Sequence, residues 1–154
     1  MKIRTAFLTL AFCFCALAAS FADNPNLGSW KLNEAKSKIP AGVSKNTSVV
    51  YTADGDNLKA VVEGVDGSGQ PIHNEWTGKF DGKDYPVTGD KITDTRAVQQ
   101  VDATHFKLTG KKDGKVVTTG TIVTSADGKT RTLNVKAKDA SGKAVTATFV
   151  YDKQ

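Results

Sequence analysis

Repeated Asp-Gly pairs between β-rich segments constrain the fold of this chain more than any other feature. Residues 106–112 run into Asp113-Gly114, and residues 116–124 lead toward Asp127-Gly128. Glycine, and to a lesser degree aspartate, tolerates the positive φ that tight hairpin turns require. Further Asp-Gly pairs begin at positions 54, 66 and 81, and a Ser-Gly pair begins at position 141. The pattern predicts a long antiparallel β-meander.

The meander divides into nine or ten short strands, and the connections between them are mostly two to five residues long. The one long connection, residues 34–44, follows the first strand at residues 28–32. An open meander exposes two strand edges, whereas closure of the sheet removes both. Greek-key sandwiches need long crossovers, which this spacing does not offer. We therefore expect an all-β, up-and-down antiparallel meander that closes into a barrel.

Two segments near the middle of the chain differ in strand character. Residues 72–80 alternate regularly and predict the fourth strand, with Trp76 and Phe80 on its apolar face. Residues 85–87 contain Pro86, which cannot donate a ladder hydrogen bond. This segment is therefore expected at a sheet edge or as an irregular stretch.

The N-terminal segment is typical of a secretory signal peptide. Residues 1–4 are positively charged, residues 5–19 are apolar and uncharged, and Ser20 and Ala22 supply small side chains at positions −3 and −1 before Asp23. The apolar stretch is about 15 residues long, whereas a helix that spans a bilayer needs roughly 20. The sequence predicts cleavage before Asp23, no membrane span after cleavage, and export to the periplasm or the medium.

Both cysteines, Cys13 and Cys15, lie inside the predicted signal peptide at residues 1–22. The remaining domain, residues 23–154, therefore enters an oxidising compartment without any disulfide. A chain of this length buries roughly two-thirds of its unfolded surface, which is enough for one domain held together by its core alone. We expect a single β-barrel domain that is monomeric.

The presumed inner face mixes aromatic, small and polar side chains. Small barrels of eight to ten strands either fill with side chains or leave room for one small ligand, and alternation along the strands leaves both possibilities open. If there is a cavity, its predicted lining residues are Trp76, Phe80, Asn74, Gln99, Phe149 and Tyr151.

No group of residues in the sequence predicts catalysis. His73 and Glu75 are two apart on a strand and so project from one face, where they could meet a water or a metal, but such a pair is more often polar surface. Gly67-Ser68-Gly69 is not followed by a helix, which excludes a phosphate-binding loop. We expect no catalytic residue, no metal site and no cofactor, and therefore no enzyme.

The charge pattern argues against nucleic-acid binding. The chain has 21 basic and 16 acidic residues. Beyond the predicted signal peptide, Arg96 and Arg131 are the only arginines, so bidentate contacts to bases or phosphates have little support. Lysines scattered along the chain are typical of a solvated surface that protects strand edges.

The opening strand, Gly28-Ser-Trp-Lys-Leu32, resembles that of the calycin superfamily of lipocalins and fatty-acid-binding proteins, in which Gly-x-Trp begins the barrel. Residues 28–38, 85–89 and 150–153 together more closely resemble small secreted bacterial proteins described as lipocalin-like or of unknown function. The resemblance covers nearly all of residues 23–154. It implies a lipocalin-like barrel in which Gly28 and Trp30 are structural.

Fatty-acid-binding proteins hold the ligand carboxylate with an Arg-x-Tyr pair on the last strand. The matching positions here are Phe149 and Tyr151, so the resemblance implies a neutral apolar ligand or none. We expect a non-enzymatic, exported barrel that binds a small hydrophobic molecule in its interior. The alternative is a periplasmic or secreted interaction module, such as an inhibitor or an envelope-scaffolding protein, with a packed core.

Overall fold

Ten antiparallel strands close into a barrel in the computed structural model, which describes residues 24–139 and 141–154. The strands are β1 (Gly28–Leu32), β2 (Lys45–Asp54), β3 (Asn57–Val65), β4 (Pro71–Gly78), β5 (Tyr85–Thr88), β6 (Thr95–Gln100), β7 (His105–Lys112), β8 (Lys115–Thr124), β9 (Thr130–Lys138) and β10 (Ala144–Lys153). Each strand pairs with the next along the chain, and β1 also pairs with β10. The predicted all-β, up-and-down barrel is confirmed.

The predicted signal peptide, residues 1–22, lies outside the described residues, so its cleavage stays a prediction. Within the described part of the chain, no helix combines the length and the apolar character that a membrane crossing requires.

The Asp-Gly turns account for the tight connections. In the hairpin between β7 and β8, Asp113 has φ 49° and Gly114 has φ 72°. Positive φ at both central positions is the conformation whose twist matches that of the flanking strands. The prediction made from the repeated pairs is confirmed at this hairpin.

The short strand β5 differs from the expectation for residues 85–87. It lies inside the closed sheet between β4 and β6, so the expected edge or irregular segment is wrong. β5 matches β4 only at Thr88 and Val87, so Pro86 takes no part in that ladder. On its other side, Pro86 lies opposite Thr95 of β6 in a ladder of only two residue pairs, which is how the closed sheet tolerates a proline.

The connection between β1 and β2 is anchored on the last strand. It contains one turn of 3₁₀ helix, Glu34–Lys36, which the Asn33 side chain caps by accepting a hydrogen bond from the Lys36 amide at 3.1 Å. Lys38 then forms a β-bridge with Thr148 on β10. Val43, two residues before β2 begins, is buried.

The barrel interior is packed around two clusters of buried apolar side chains. One contains Leu58, Ala60, Trp76, Val87, Val98, Phe106 and Ile122. The other contains Trp30, Val43, Val135, Ala147, Phe149 and Tyr151. The partly buried Tyr51 and Leu133 pack against both clusters and so join them.

Candidate functional site

A cavity of about 180 Å³ lies inside the barrel. Its walls are mainly aromatic and aliphatic, and they include Trp30, Val49, Val62, Trp76, Phe149 and Tyr151. At one end of the barrel, Ser44, Ile92 and Lys138 border the cavity. A concave apolar space with a few polar groups is the usual form of a small-molecule site.

Four of the predicted lining residues border this cavity: Trp76, Asn74, Phe149 and Tyr151. Asn74 is buried and accepts a hydrogen bond from the Arg96 guanidinium at 3.4 Å. The structure thus brings together residues of β4 and β10, which lie on different sides of the barrel.

Gln99 does not line the cavity, so its assignment to the interior is wrong. It is exposed and packs over the turn at Gly82, where an added Cβ would lie 3.4 Å from the Gln99 Cβ. Arg96 and Val98, from the alternate face of β6, line the cavity instead. Both faces of β6 carry one apolar and one polar residue at these positions, so alternation could not decide between them.

Phe80 is also absent from the cavity wall. β4 ends at Gly78, and Phe80 follows it in a half-buried aromatic group. Its ring centroid lies 6.2 Å from that of Trp76 and 5.2 Å from that of Phe106. Phe80 therefore packs against the Trp76 ring and does not line the cavity.

Trp30, for which the resemblance implies a structural role, is a buried residue of β1. It is 1% exposed, and its indole N–H donates to the Asn26 carbonyl at 3.0 Å. The Lys153 ammonium lies 5.3 Å from the ring centroid, within the distance of a cation–π contact. Trp30 nevertheless also borders the cavity.

Gly28 is required by the backbone at the start of β1. Its φ is +106°, a value that side-chain-bearing residues rarely adopt. An added Cβ would also lie 3.1 Å from the Lys153 Cε atom. Both observations support the structural role assigned to Gly28.

Arg131, at the start of β9, is a buried cation in the cavity wall. The residue is 5% exposed. Its guanidinium carbon lies 4.8 Å from the Tyr51 ring centroid and 5.7 Å from that of Trp30, and its Nη2 donates to the Tyr51 hydroxyl at 3.3 Å. Among the described residues, no carboxylate lies within 4.0 Å of this guanidinium, since none of their ion pairs involves Arg131.

Tyr151 does not neutralise this cation. Burial raises the pKa of the Tyr151 phenol well above its ordinary value, although the charge of Arg131 acts in the opposite direction. The phenol is therefore neutral at physiological pH. Arg131 thus has aromatic rings and hydroxyl groups around it, but no negative charge among the described residues.

Arg96, the second arginine that lines the cavity, forms an ion pair with a carboxylate. Arg96 Nη2 lies 3.4 Å from Asp90 Oδ2, and both side chains are mostly buried. The Thr93 hydroxyl donates to the same carboxylate oxygen at 2.6 Å. Asp90 is the one carboxylate among the described residues that line the cavity, and it is already engaged by Arg96.

His73 and Glu75, the pair considered in the sequence, lie on the exposed face of β4. His73 Nδ1 lies 2.6 Å from Glu63 Oε1, and its Nε2 lies 3.7 Å from Glu75 Oε1. The hydrogen bond that the His73 Nδ1–H donates to Glu63 is the main reason that the pKa of His73 is raised. Among residues 24–139 and 141–154, no three His, Cys, Asp or Glu side chains are placed to hold a metal ion.

Sequence reasoning missed the position of Arg131, although a signal for it was present. Arg131, Leu133 and Val135 alternate along β9, and Val135 is an obvious inward-facing residue. The same period of two places Arg131 on the inner face. A charged residue at the end of such a series is easily assigned to solvent.

A search with protein-family models finds no match to this chain, and a search of curated proteins finds no significant relative either. The functional argument therefore depends on the geometry of the cavity.

Proposed function

We propose that this protein is an exported, non-enzymatic barrel that binds a small, largely apolar molecule carrying one negative charge. The observation that carries the proposal is Arg131, a buried cation that faces the cavity without a carboxylate partner among the described residues. The signal-peptide pattern of residues 1–22 supports export. The sequence predicts a neutral ligand or none, whereas the buried Arg131 favours an anionic one.

The size of the cavity limits the ligand. A dry cavity of about 150 Å³ accommodates benzene, whereas sites for drug-sized molecules start at about 300 Å³. The volume here is about 180 Å³. It suits a single ring or a short acyl chain with one small polar group.

The charge of the lining favours an anion. Arg96, Arg131 and Lys138 are cationic, and Asp90 is the single carboxylate among the described lining residues. A buried charge is costly unless it is paired and hydrogen-bonded. A carboxylate beside Arg131 would supply both the opposite charge and acceptors for its guanidinium N–H groups.

The aromatic walls provide the apolar part of the site. Trp30, Trp76 and Phe149 all border the cavity, and burial of an apolar ring against them is favourable at about 25 cal/mol per Å². For a ligand this small we expect a Kd between about 10 μM and 1 mM.

Three probes of nearly the same shape test the proposal: benzoate, benzyl alcohol and benzylammonium. Calorimetric titration should rank benzoate first and benzylammonium last. A hydrogen bond to a charged group is worth about 1.5–3 kcal/mol, so benzoate should bind about 10- to 100-fold more tightly than benzyl alcohol.

Two variants assign the preference to Arg131. Arg131→Met retains most of the side-chain volume and should remove the preference for benzoate, while binding of benzyl alcohol persists. Lys153→Met is the matched control, because Lys153 also lies over the Trp30 ring but does not line the cavity. It should leave the ranking unchanged.

Equal affinity for all three probes would show that charge plays no part in recognition. Failure of every probe to bind would overturn the proposal and favour the alternative, an interaction module. In that alternative, the two apolar clusters of the interior serve only as a packed core.

A further inference from the structure

The wall of the barrel has a gap between β8 and β9. The ladder between these strands ends at Thr119, which lies opposite Lys136. β8 continues back to Lys115 through its pairing with β7, and β9 continues to Lys138 through its pairing with β10. Beyond the Thr119–Lys136 pair, the two strands are therefore not paired with each other.

A β-bulge on β8 explains why the strands separate. Gly110 on β7 lies opposite Thr118, but the next residue, Lys111, lies opposite Val116. Val117 is thus an extra residue without its own partner on β7. A bulge bends its strand and increases the local twist, and here it bends β8 at the point where pairing with β9 stops.

The gap joins the interior to the outer surface. Thr118, Ala137 and Lys138 border the internal cavity, and the same three residues border a second space, a groove of about 360 Å³. Val116 and Val145 also line this groove, and Val116 is 56% exposed. Residues shared by the two spaces mark the place where the wall is thinnest.

We propose that the ligand enters and leaves the cavity sideways, through the gap between β8 and β9. The inference rests on the proposed function, because it concerns the route to the same internal site. Lys136 and Lys138 flank the groove and attract an anion, while Val116 and Val145 offer an apolar surface to the rest of the molecule.

A reversible cross-link tests this route. Val117 on β8 and Lys136 on β9 both line the groove, and neither lines the cavity. Because pairing between the two strands stops here, a two-carbon dithiol spacer, held to each cysteine by a disulfide, is used in place of a direct disulfide. The double variant Val117→Cys/Lys136→Cys closes the gap when it is oxidised with the spacer, and the only natural cysteines, Cys13 and Cys15, lie within the predicted signal peptide.

Exchange of benzoate is measured by NMR line shapes on the oxidised and the reduced protein. Oxidation should slow association and dissociation together by about tenfold or more, and leave Kd within about twofold. Reduction with dithiothreitol should restore both rates. The matched control is Lys45→Cys/Val65→Cys, at the same end of the barrel, where β2 and β3 are already paired. Its oxidation should change neither rate.

A second variant gives the same test without a disulfide. Val116 lines the groove but not the cavity and is 56% exposed, so Val116→Trp should fill the groove and slow exchange without lowering affinity. Unchanged rates in both cases would overturn the inference and assign the route to the end of the barrel near Ser44 and Ile92. Absence of benzoate binding to the reduced protein would instead overturn the proposed function, and the lateral route with it.

Discussion

Arg131 on β9 and Tyr151 on β10 are direct neighbours across the two strands, and both are almost completely buried. Burial and the charge of Arg131 have opposite effects on the pKa of Tyr151. Burial, the larger effect, favours the neutral phenol, whereas the charge of Arg131 favours the phenolate. Because burial prevails, the pKa of Tyr151 is higher in the folded protein than in the unfolded chain.

The raised pKa of Tyr151 predicts a loss of stability in alkali. The unfolded phenol loses its proton near pH 10, while the folded phenol keeps it, so rising pH favours the unfolded state above this point. Tyr151→Phe removes this contribution. The free energy of unfolding of the wild type should therefore fall more steeply above pH 10 than that of Tyr151→Phe. Parallel curves from urea denaturation would contradict the prediction.

His73 should titrate above its ordinary pKa of 6.5 because of its hydrogen bond with Glu63. The resulting contribution to stability is present below pH 6.5 and is lost as the pH rises through the folded value. Glu63→Gln should lower the pKa of His73 in an NMR titration. Glu75→Gln is the control and should have a smaller effect, because Glu75 lies 3.7 Å away. Equal effects from both variants would be inconsistent with this geometry.

Trp30 and Trp76 should contribute similarly to stability, because each is 1% exposed and each donates its indole N–H to a backbone carbonyl at 3.0 Å. Trp30→Ala and Trp76→Ala should each lower the free energy of unfolding by about 3–5 kcal/mol. Ile92→Ala is the control, since Ile92 is 49% exposed. Its effect should stay below about 0.5 kcal/mol in urea denaturation. A much smaller loss for Trp76→Ala would show that empty space already surrounds its ring.

Gly114→Val should destabilise the fold through the backbone alone. An added Cβ at Gly114 meets no atom within 4 Å, but the φ of +72° is unfavourable for a β-branched residue. The expected loss is about 1–2 kcal/mol. Gly114→Asn should lose much less, because asparagine tolerates this conformation. Equal melting temperatures for the two variants would contradict the turn conformation.

The exported protein should begin at Asp23. The pattern of residues 1–22 predicts cleavage after Ala22. Intact-mass measurement of protein recovered from the periplasm or the medium tests this directly. A mass that includes Met1 would rule out cleavage.

The architecture could be predicted from the sequence because its signals are local. An Asp-Gly pair such as Asp113-Gly114 determines a hairpin through its own φ values, and a series of hairpins leaves closure as the way to remove the strand edges. The inclusion of β5 was harder to predict. Pro86 argues against a strand, yet it lies opposite Thr95 in the ladder with β6 and is left out only of the ladder with β4.

The site was less predictable because it depends on which face of each strand turns inward. Trp76 and Phe149 border the cavity, and both lie on strand faces that are clearly apolar in the sequence. On β6 the alternation is ambiguous. It predicts that Gln99 faces the interior, whereas Gln99 is exposed and Arg96 lines the cavity. Arg131 on β9 contacts Tyr51 on β2, and no local sequence pattern predicts a contact between strands so far apart in the chain.

The seam between β1 and β10 affects how the barrel is made. β1 is the first strand that the ribosome produces, yet one of its two partners, β10, is produced last. Trp30 lies opposite Lys153 at this seam. Contacts between residues so distant in sequence slow folding. A nascent chain therefore remains an open, incomplete sheet throughout translation, and the interior forms only after the tenth strand has been synthesised.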